Sequence, residues 1–167
     1  MLLNPKLEKL MNIQYTNEVS SALLYQNIAG FYDDRHFSGF AKYFTKSAEE
    51  ELGHAKKFYD FINLRDGRAI ISGIPNKDLQ FNDGTDLLMP FYDALKHEQQ
   101  VSTYINELCD VALEMKDHGA YKFLQEMFEE QQEEEIRFIN LIAELELVKN
   151  DGGDLLRISH RIGGEDD

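Results

Sequence analysis

The chain has a single cysteine, Cys109, so no intrachain disulfide can staple it, and a reducing compartment is expected. Tryptophan is absent, and the only prolines are Pro5, Pro75 and Pro90. So few helix breakers leave room for long, uninterrupted helices. Basic residues are scarce beside acidic ones: 17 Lys and Arg face 31 Asp and Glu, a net charge of −14. That imbalance argues against nucleic acid and anionic membranes as partners, and it suits a protein that attracts cations. Long apolar runs are missing as well. No stretch approaches the roughly 18 residues of a membrane helix, and the first six residues lack the apolar core of a signal peptide. A cytoplasmic protein with no membrane partner is expected. The 167 residues suffice for one domain, 1–167, with a sizeable core.

Four long segments carry apolar residues at helical spacing. The first opens on Asn4-Pro5, an N-cap followed by proline at the first helical position, and runs to about Tyr32. The second runs from about Ser38 to Leu64. The third begins near Asp86, with Pro90 in its first turn, and ends near Asp117. The fourth covers about Ala120 to Val148. Asp33-Asp34-Arg35-His36 and Asp117-His118-Gly119 read as short turns. The connection after Leu64 is different. It contains Arg68-Ala69-Ile70-Ile71-Ser72-Gly73-Ile74-Pro75 and the turn chemistry of Gln80-Phe81-Asn82-Asp83-Gly84-Thr85. A loop this long can cross the length of a four-helix bundle, so that the third helix runs parallel to the second. Residues 69–74 are expected to be extended and paired with another chain. After Asn150-Asp151-Gly152-Gly153, a short fifth helix is expected over about 154–162, followed by a frayed tail at 163–167.

Each apolar stripe is interrupted by a residue that should not be there. The second reads Phe40, Phe44, Ala48, Glu51, Ala55, Phe58, Ile62, and His54 lies three residues from Glu51 on the same face. Glu18 interrupts Leu7, Met11, Ala22, Tyr25, Ala29 and Tyr32. Glu98 interrupts Leu88, Phe91, Leu95, Val101, Ile105, Leu108, Ala112 and Met115. On the fourth helix Gln131 falls near the middle of Leu124, Met127, Phe138, Leu141 and Leu145, with Glu134 and Glu135 on either side. Periodicity does not choose between those two. Taken singly, each is a charge at a stripe's edge, a common Glu-x-x-His, or part of a solvated acidic run. Taken together, they sit near the middle of four helices of similar length and would meet at one depth. An unpaired buried charge costs several kcal/mol or shifts its pKa until it is neutral. A bound cation removes the problem, and a set rich in carboxylates suits two ions such as iron or manganese. Cys109 reads as a small core residue.

These residues resemble those of the ferritins, specifically the bacterial non-haem ferritins. The likeness rests on Glu-Glu-Leu-Gly-His at 50–54, Lys-His-Glu-Gln at 96–99, Ile-Asn-Glu-Leu at 105–108 and Glu-Gln-Gln-Glu-Glu at 130–134, and covers about residues 5–162. Ferritin-like proteins that carry a second Glu-x-x-His resemble the chain less, because Arg137 stands three residues after Glu134. The resemblance implies an all-α, ferritin-like four-helix bundle (about 5–148) with a long crossover loop between helices two and three and a short C-terminal fifth helix. It implies a ferroxidase centre in which Glu18, Glu51 and His54 hold one iron. The other would be held by Glu51 as bridge, Glu98 and Glu134, with Gln131 nearby. The family pattern favours Glu134 over Glu135. Tyr25 matches a tyrosine beside the centre, and Glu50, Glu130, Glu133 and Glu134 match the ligands of a third iron site.

By the same resemblance, two ferrous ions bind as ligand protons leave, dioxygen takes one electron from each, and the ferric product moves inward as an oxide mineral. A hollow shell of twenty-four identical subunits is implied, with residues 69–74 at a dimer contact and 154–162 lining a pore. The competing readings are a di-iron or di-manganese oxidase or peroxidase that stores nothing, and a purely structural shell subunit.

Overall fold

The computed structural model describes residues 2–74 and 81–164. Pro75 and Gln80 of the expected connection, and 165–167 of the expected tail, lie outside the described residues. Five helices follow in order: α1 (Pro5–Asp34), α2 (Ser38–Leu64), α3 (Met89–Glu114), α4 (His118–Val148) and α5 (Gly152–Ile162). Among the described residues there is no strand. Nor is any helix long and apolar enough to cross a membrane.

Short polar side chains set the starts of α1, α3, α4 and α5. Asn4 accepts from the Lys6 amide at 2.9 Å, with Pro5 in the first turn, as its sequence suggests. Asp117 accepts from the Ala120 amide, so α4 begins at His118 rather than Ala120. Asp151 accepts from the amides of Gly153 and Asp154, so α5 begins at Gly152 although two glycines read as a break. At the start of α3, Asp86 accepts from the Leu88 amide, and the helix opens at Met89 with Pro90 in its first turn.

α1 and α2 form one antiparallel hairpin and α3 and α4 another, with α1 facing α3. Phe91, at the start of α3, packs on Phe40 and Phe44 near the start of α2, with ring centroids 5.1 and 5.0 Å apart. α3 therefore runs parallel to α2, and the chain between them must return along the bundle. It does so against α1. The amides of Arg68, Ile70 and Ser72 donate to Glu8, Asn12 and Thr16, and Asn12 donates back to the Arg68 carbonyl. The match is geometric: four residues of helix rise about 6 Å and two residues of extended chain about 6.6 Å. Residues 69–72 are thus extended, as expected, but the run does not continue to 74, because Gly73 turns into the left-handed region at a φ of 45°. Ile70, Ile71 and Ile74 are partly exposed.

The apolar interior falls into two blocks. One gathers Tyr25, Tyr32, Phe40, Phe44, Phe91, Phe138 and Leu145, and α5 closes it with Leu155 and Ile158. The other, at the far end, gathers Leu7, Met11, Phe58, Ile62, Ile105, Leu124 and Met127, with Cys109 buried among them. Each fully buried aromatic or large aliphatic side chain stabilises the fold by roughly 1.5–3 kcal/mol. Between the blocks lies an interval in all four helices. On α1 it falls between Met11 and Ala22, on α2 between Ala48 and Phe58, on α3 between Ala94 and Val101, and on α4 between Met127 and Phe138. The site occupies that interval.

Candidate metal centre

Six polar residues fill the gap between the two blocks. Glu18, Glu51, His54, Glu98, Gln131 and Glu134 are all between 1% and 9% exposed. Ligand atoms of Glu18, Glu51 and His54 lie within 4.8 Å of one another, and so do those of Glu51, Glu98 and Glu134. The two triads share Glu51. The structure also separates the two residues that periodicity left open. Glu134 is buried in the cluster, whereas Glu135 is half-buried and accepts the Ser102 hydroxyl.

Each carboxylate is placed by neighbours on its own or the facing helix. Gln14, one turn before Glu18, donates to Glu18 Oε1 at 2.8 Å. Gln131 Nε2 donates to one oxygen of Glu98, and the Tyr25 hydroxyl to the other. His54 Nδ1 stands 3.7 Å from Glu51 Oε1, and its Nε2 stands 3.4 Å from Glu130 and 3.7 Å from Glu134. Ser21 hydrogen-bonds Glu51 and shares a 2.6 Å contact with His97 Nε2. The sequence reading did not single out Gln14, Ser21 or His97. The spacing of Gln14 to Glu18 offered a signal, since four residues make a helix turn. Ser21 and His97 are 76 positions apart and offered none.

The electrostatics are those of carboxyls buried close to one another. Burial, then the charge of Glu134, pushes the Glu51 carboxyl up to about 8. Burial pushes Glu98 to about 8 as well, against the opposing hydrogen bond from Gln131. Glu134 is raised to about 8 by burial and then by Glu98. Glu18 is raised well above the ordinary carboxylate range by burial and by Glu51. Three buried side-chain oxygens among the described residues have no hydrogen-bond partner: the Tyr43 hydroxyl, outside the triads, and two carboxylate oxygens, Glu18 Oε2 and Glu134 Oε2. One of these carboxylate oxygens belongs to each triad. Buried acceptors are almost always satisfied. Two orphans, one per triad, are what a pair of cations would complete. The donor set of carboxylates with one imidazole fits hard or borderline ions.

The remaining residues expected at a third site lie further out. Glu50 and Glu130 are half-buried and paired with Arg137 and Lys57, and Glu133 is exposed.

Four helices that bring carboxylates and a histidine into two triads sharing one glutamate define the class of ferritin-like bundles. A family model described as Ferritin-like domain matches residues 8–148. The chain is 35% identical to a bacterial non-heme ferritin of Staphylococcus saprophyticus, over 92% of this chain and 90% of that one. It is 32% identical to a probable bacterial non-heme ferritin-like protein of Haemophilus influenzae, over 97% and 96%. Among solved structures, an open pore ferritin from the hyperthermophilic archaeon Archaeoglobus fulgidus superposes with a TM-score of 0.91, at 30% identity and 96% coverage of each chain. The chain belongs to the ferritin family.

Proposed function

We propose that this protein is an iron-storage ferritin whose chain oxidises Fe(II) with dioxygen and stores the ferric product in a shell built of copies of itself. The observation that carries the reading is the pair of triads sharing Glu51, each with an orphaned buried carboxylate oxygen. Glu18, Glu51 and His54 take one ferrous ion, and Glu51, Glu98 and Glu134 take the other. Gln131 and Tyr25 hold Glu98 in place. The carboxyls, kept protonated by burial, give up protons as the metals arrive, so binding is coupled to proton release. One electron from each iron then passes to dioxygen. Ferric ions hydrolyse readily, and the acidic chain draws further cations toward the site.

Storage needs a container. The segment at 69–74, with its isoleucines partly exposed, suits a contact with a second copy, and α5 suits a pore lining in a shell of twenty-four. Low cysteine content agrees with a cytoplasmic home.

The test is aerobic addition of Fe(II) to the metal-free protein, followed at the ferric absorbance, with particle size measured on the same sample. Rapid oxidation of about two irons per chain, then slower mineral growth in a large particle, is expected. Rapid oxidation by a small oligomer that holds only those irons would point to an oxidase that stores nothing. Glu18→Ala and His54→Ala should slow oxidation by orders of magnitude while assembly persists. Unchanged rates in both would refute the site.

A further inference from the structure

Beside the two triads, on the face where α2 meets α4, two more carboxylates are closed by cations of the chain itself. Arg137 Nη1 donates to Glu50 Oε2 at 2.9 Å. Lys57 Nζ donates to Glu130 Oε1 at 2.6 Å. Both pairs cross from helix to helix. Glu50, His54 and Lys57 share a face of α2, and Glu130, Glu134 and Arg137 share a face of α4. The helices run antiparallel, so the two ion pairs bracket the contact between His54 and Glu134. Their side chains are 34–46% exposed, whereas those of His54 and Glu134 are 11% and 9% exposed. An ion leaving or reaching the buried triads on this side meets the pairs first.

Chemistry makes these cations competitors of a metal. A carboxylate oxygen that accepts from a guanidinium has that lone pair occupied, and a divalent ion placed there would stand against a fixed positive charge. Arg137 is well suited to the role, because its planar fork holds a carboxylate and it never loses its proton. The resemblance to ferritins led us to expect a third metal on Glu50, Glu130, Glu133 and Glu134. Two of those four are engaged with cations instead, and Glu133 is exposed.

We propose that Arg137 and Lys57 are resident countercations of Glu50 and Glu130, and that they hold tight metal binding to two ions per chain by making a third position one that metal enters only by displacing them. The inference rests on the two-ion reading of the triads. It also gives the ferric product a loosely held way out of the centre, since no tight third site lies beside it to retain the ion.

The test is a binding count, not an activity. Assembled, metal-free protein is titrated with Zn(II) alone under equilibrium dialysis, as the natural sequence and as Arg137→Leu and Arg137→Leu/Lys57→Met. Circular dichroism and particle size confirm that each is folded. The natural sequence should bind two tight zinc ions per chain. The double variant should gain a third, with an affinity at least about tenfold above any weak third site of the natural sequence, since removing contact charges is worth about that much. Gain of the third ion in Arg137→Leu alone supports the proposal and assigns the larger share to Arg137. Three tight ions in the natural sequence, or an unchanged two in the double variant, overturns it. A natural count below two overturns the two-ion reading itself.

Discussion

Tyr25 donates its phenol proton to Glu98 from across the bundle, and Gln131 donates to the other oxygen of the same carboxylate. α1 and α4 therefore fix a side chain that α3 supplies. Each oxygen of Glu98 thus accepts one hydrogen bond and keeps a further lone pair that could face an ion. Tyr25 is itself held by Phe44 and Phe138, with ring centroids 5.8 and 6.1 Å away. A rigid donor on a pre-placed carboxylate is a positioning device.

Tyr25→Phe keeps the ring packing and removes the donor. Binding of two ions should survive, because no ligand is lost. Oxidation should slow by roughly tenfold or more, since a hydrogen bond to a charged group is worth roughly 1.5–3 kcal/mol. Stopped-flow absorbance after Fe(II) addition reads the rate, and zinc titration reads the site count. An unaltered rate with an unaltered count would remove Tyr25 from the mechanism.

pH dependence follows from the raised carboxyls. Glu51, Glu98 and Glu134 titrate near 8 in the metal-free fold, against an ordinary carboxyl range near 4.3 in the unfolded chain. Between those values the folded chain binds more protons than the unfolded one, so stability falls as pH rises and levels off above about 8. Metal-free protein should melt several degrees lower at about pH 8.5 than at about pH 6. Zinc should reverse the trend, because it replaces the protons. Calorimetry with and without zinc checks both signs, and a metal-free protein that melts higher at the alkaline end would contradict the account.

Glu18→Gln isolates one of the orphaned oxygens. The amide keeps an acceptor for Gln14 and removes a carboxyl whose ionised form is disfavoured by burial and by Glu51. The metal-free variant should be more stable near neutral pH by about 1 kcal/mol, a rise of a few degrees in Tm. The rise in Tm that added zinc produces should shrink, because one triad has lost one of its two carboxylates. A variant destabilised without metal, yet still stabilised fully by zinc, would show that Glu18 serves the fold rather than the ion.

Much of this was legible in the chain because helices announce themselves by period. Glu18, Glu51, Glu98 and Gln131 stood out against apolar stripes, and the structure places all four in the gap between the two core blocks. Periodicity could not separate Glu134 from Glu135, since they flank the stripe at similar angles. A contact on another helix does so, as Ser102 takes Glu135. The bonds of Arg137 to Glu50 and of Lys57 to Glu130 were illegible for the same reason. They join positions 87 and 73 residues apart, and only the register of α2 against α4 brings them together. Helix starts were misjudged by a few residues wherever an aspartate cap outweighed glycine, as at Asp151.

The fifth helix offers a test that leaves the centre untouched. The start of α2 has no side-chain cap of its own at Phe37. Its Phe40 amide instead donates to Ser159 Oγ of α5 at 3.0 Å, and Ser159 is fully buried. Contact this close requires Gly39, where a Cβ would collide with the backbone of Ser159 and His160. Backbone cannot yield as a flexible side chain can, so Gly39→Ala should push α5 away, uncover Leu155 and Ile158, and cost about 2–3 kcal/mol or more. Ser159→Ala should cost only about 1 kcal/mol, the worth of a lost cap. Limited proteolysis should then cut Gly39→Ala within 152–164 while zinc binding persists, because the proposed ligands lie on α1 to α4. If α5 lines a pore, large particles should also be lost. Protease resistance equal to that of the natural sequence would mean that α5 finds another seat, and the cap at Ser159 would not be what holds it.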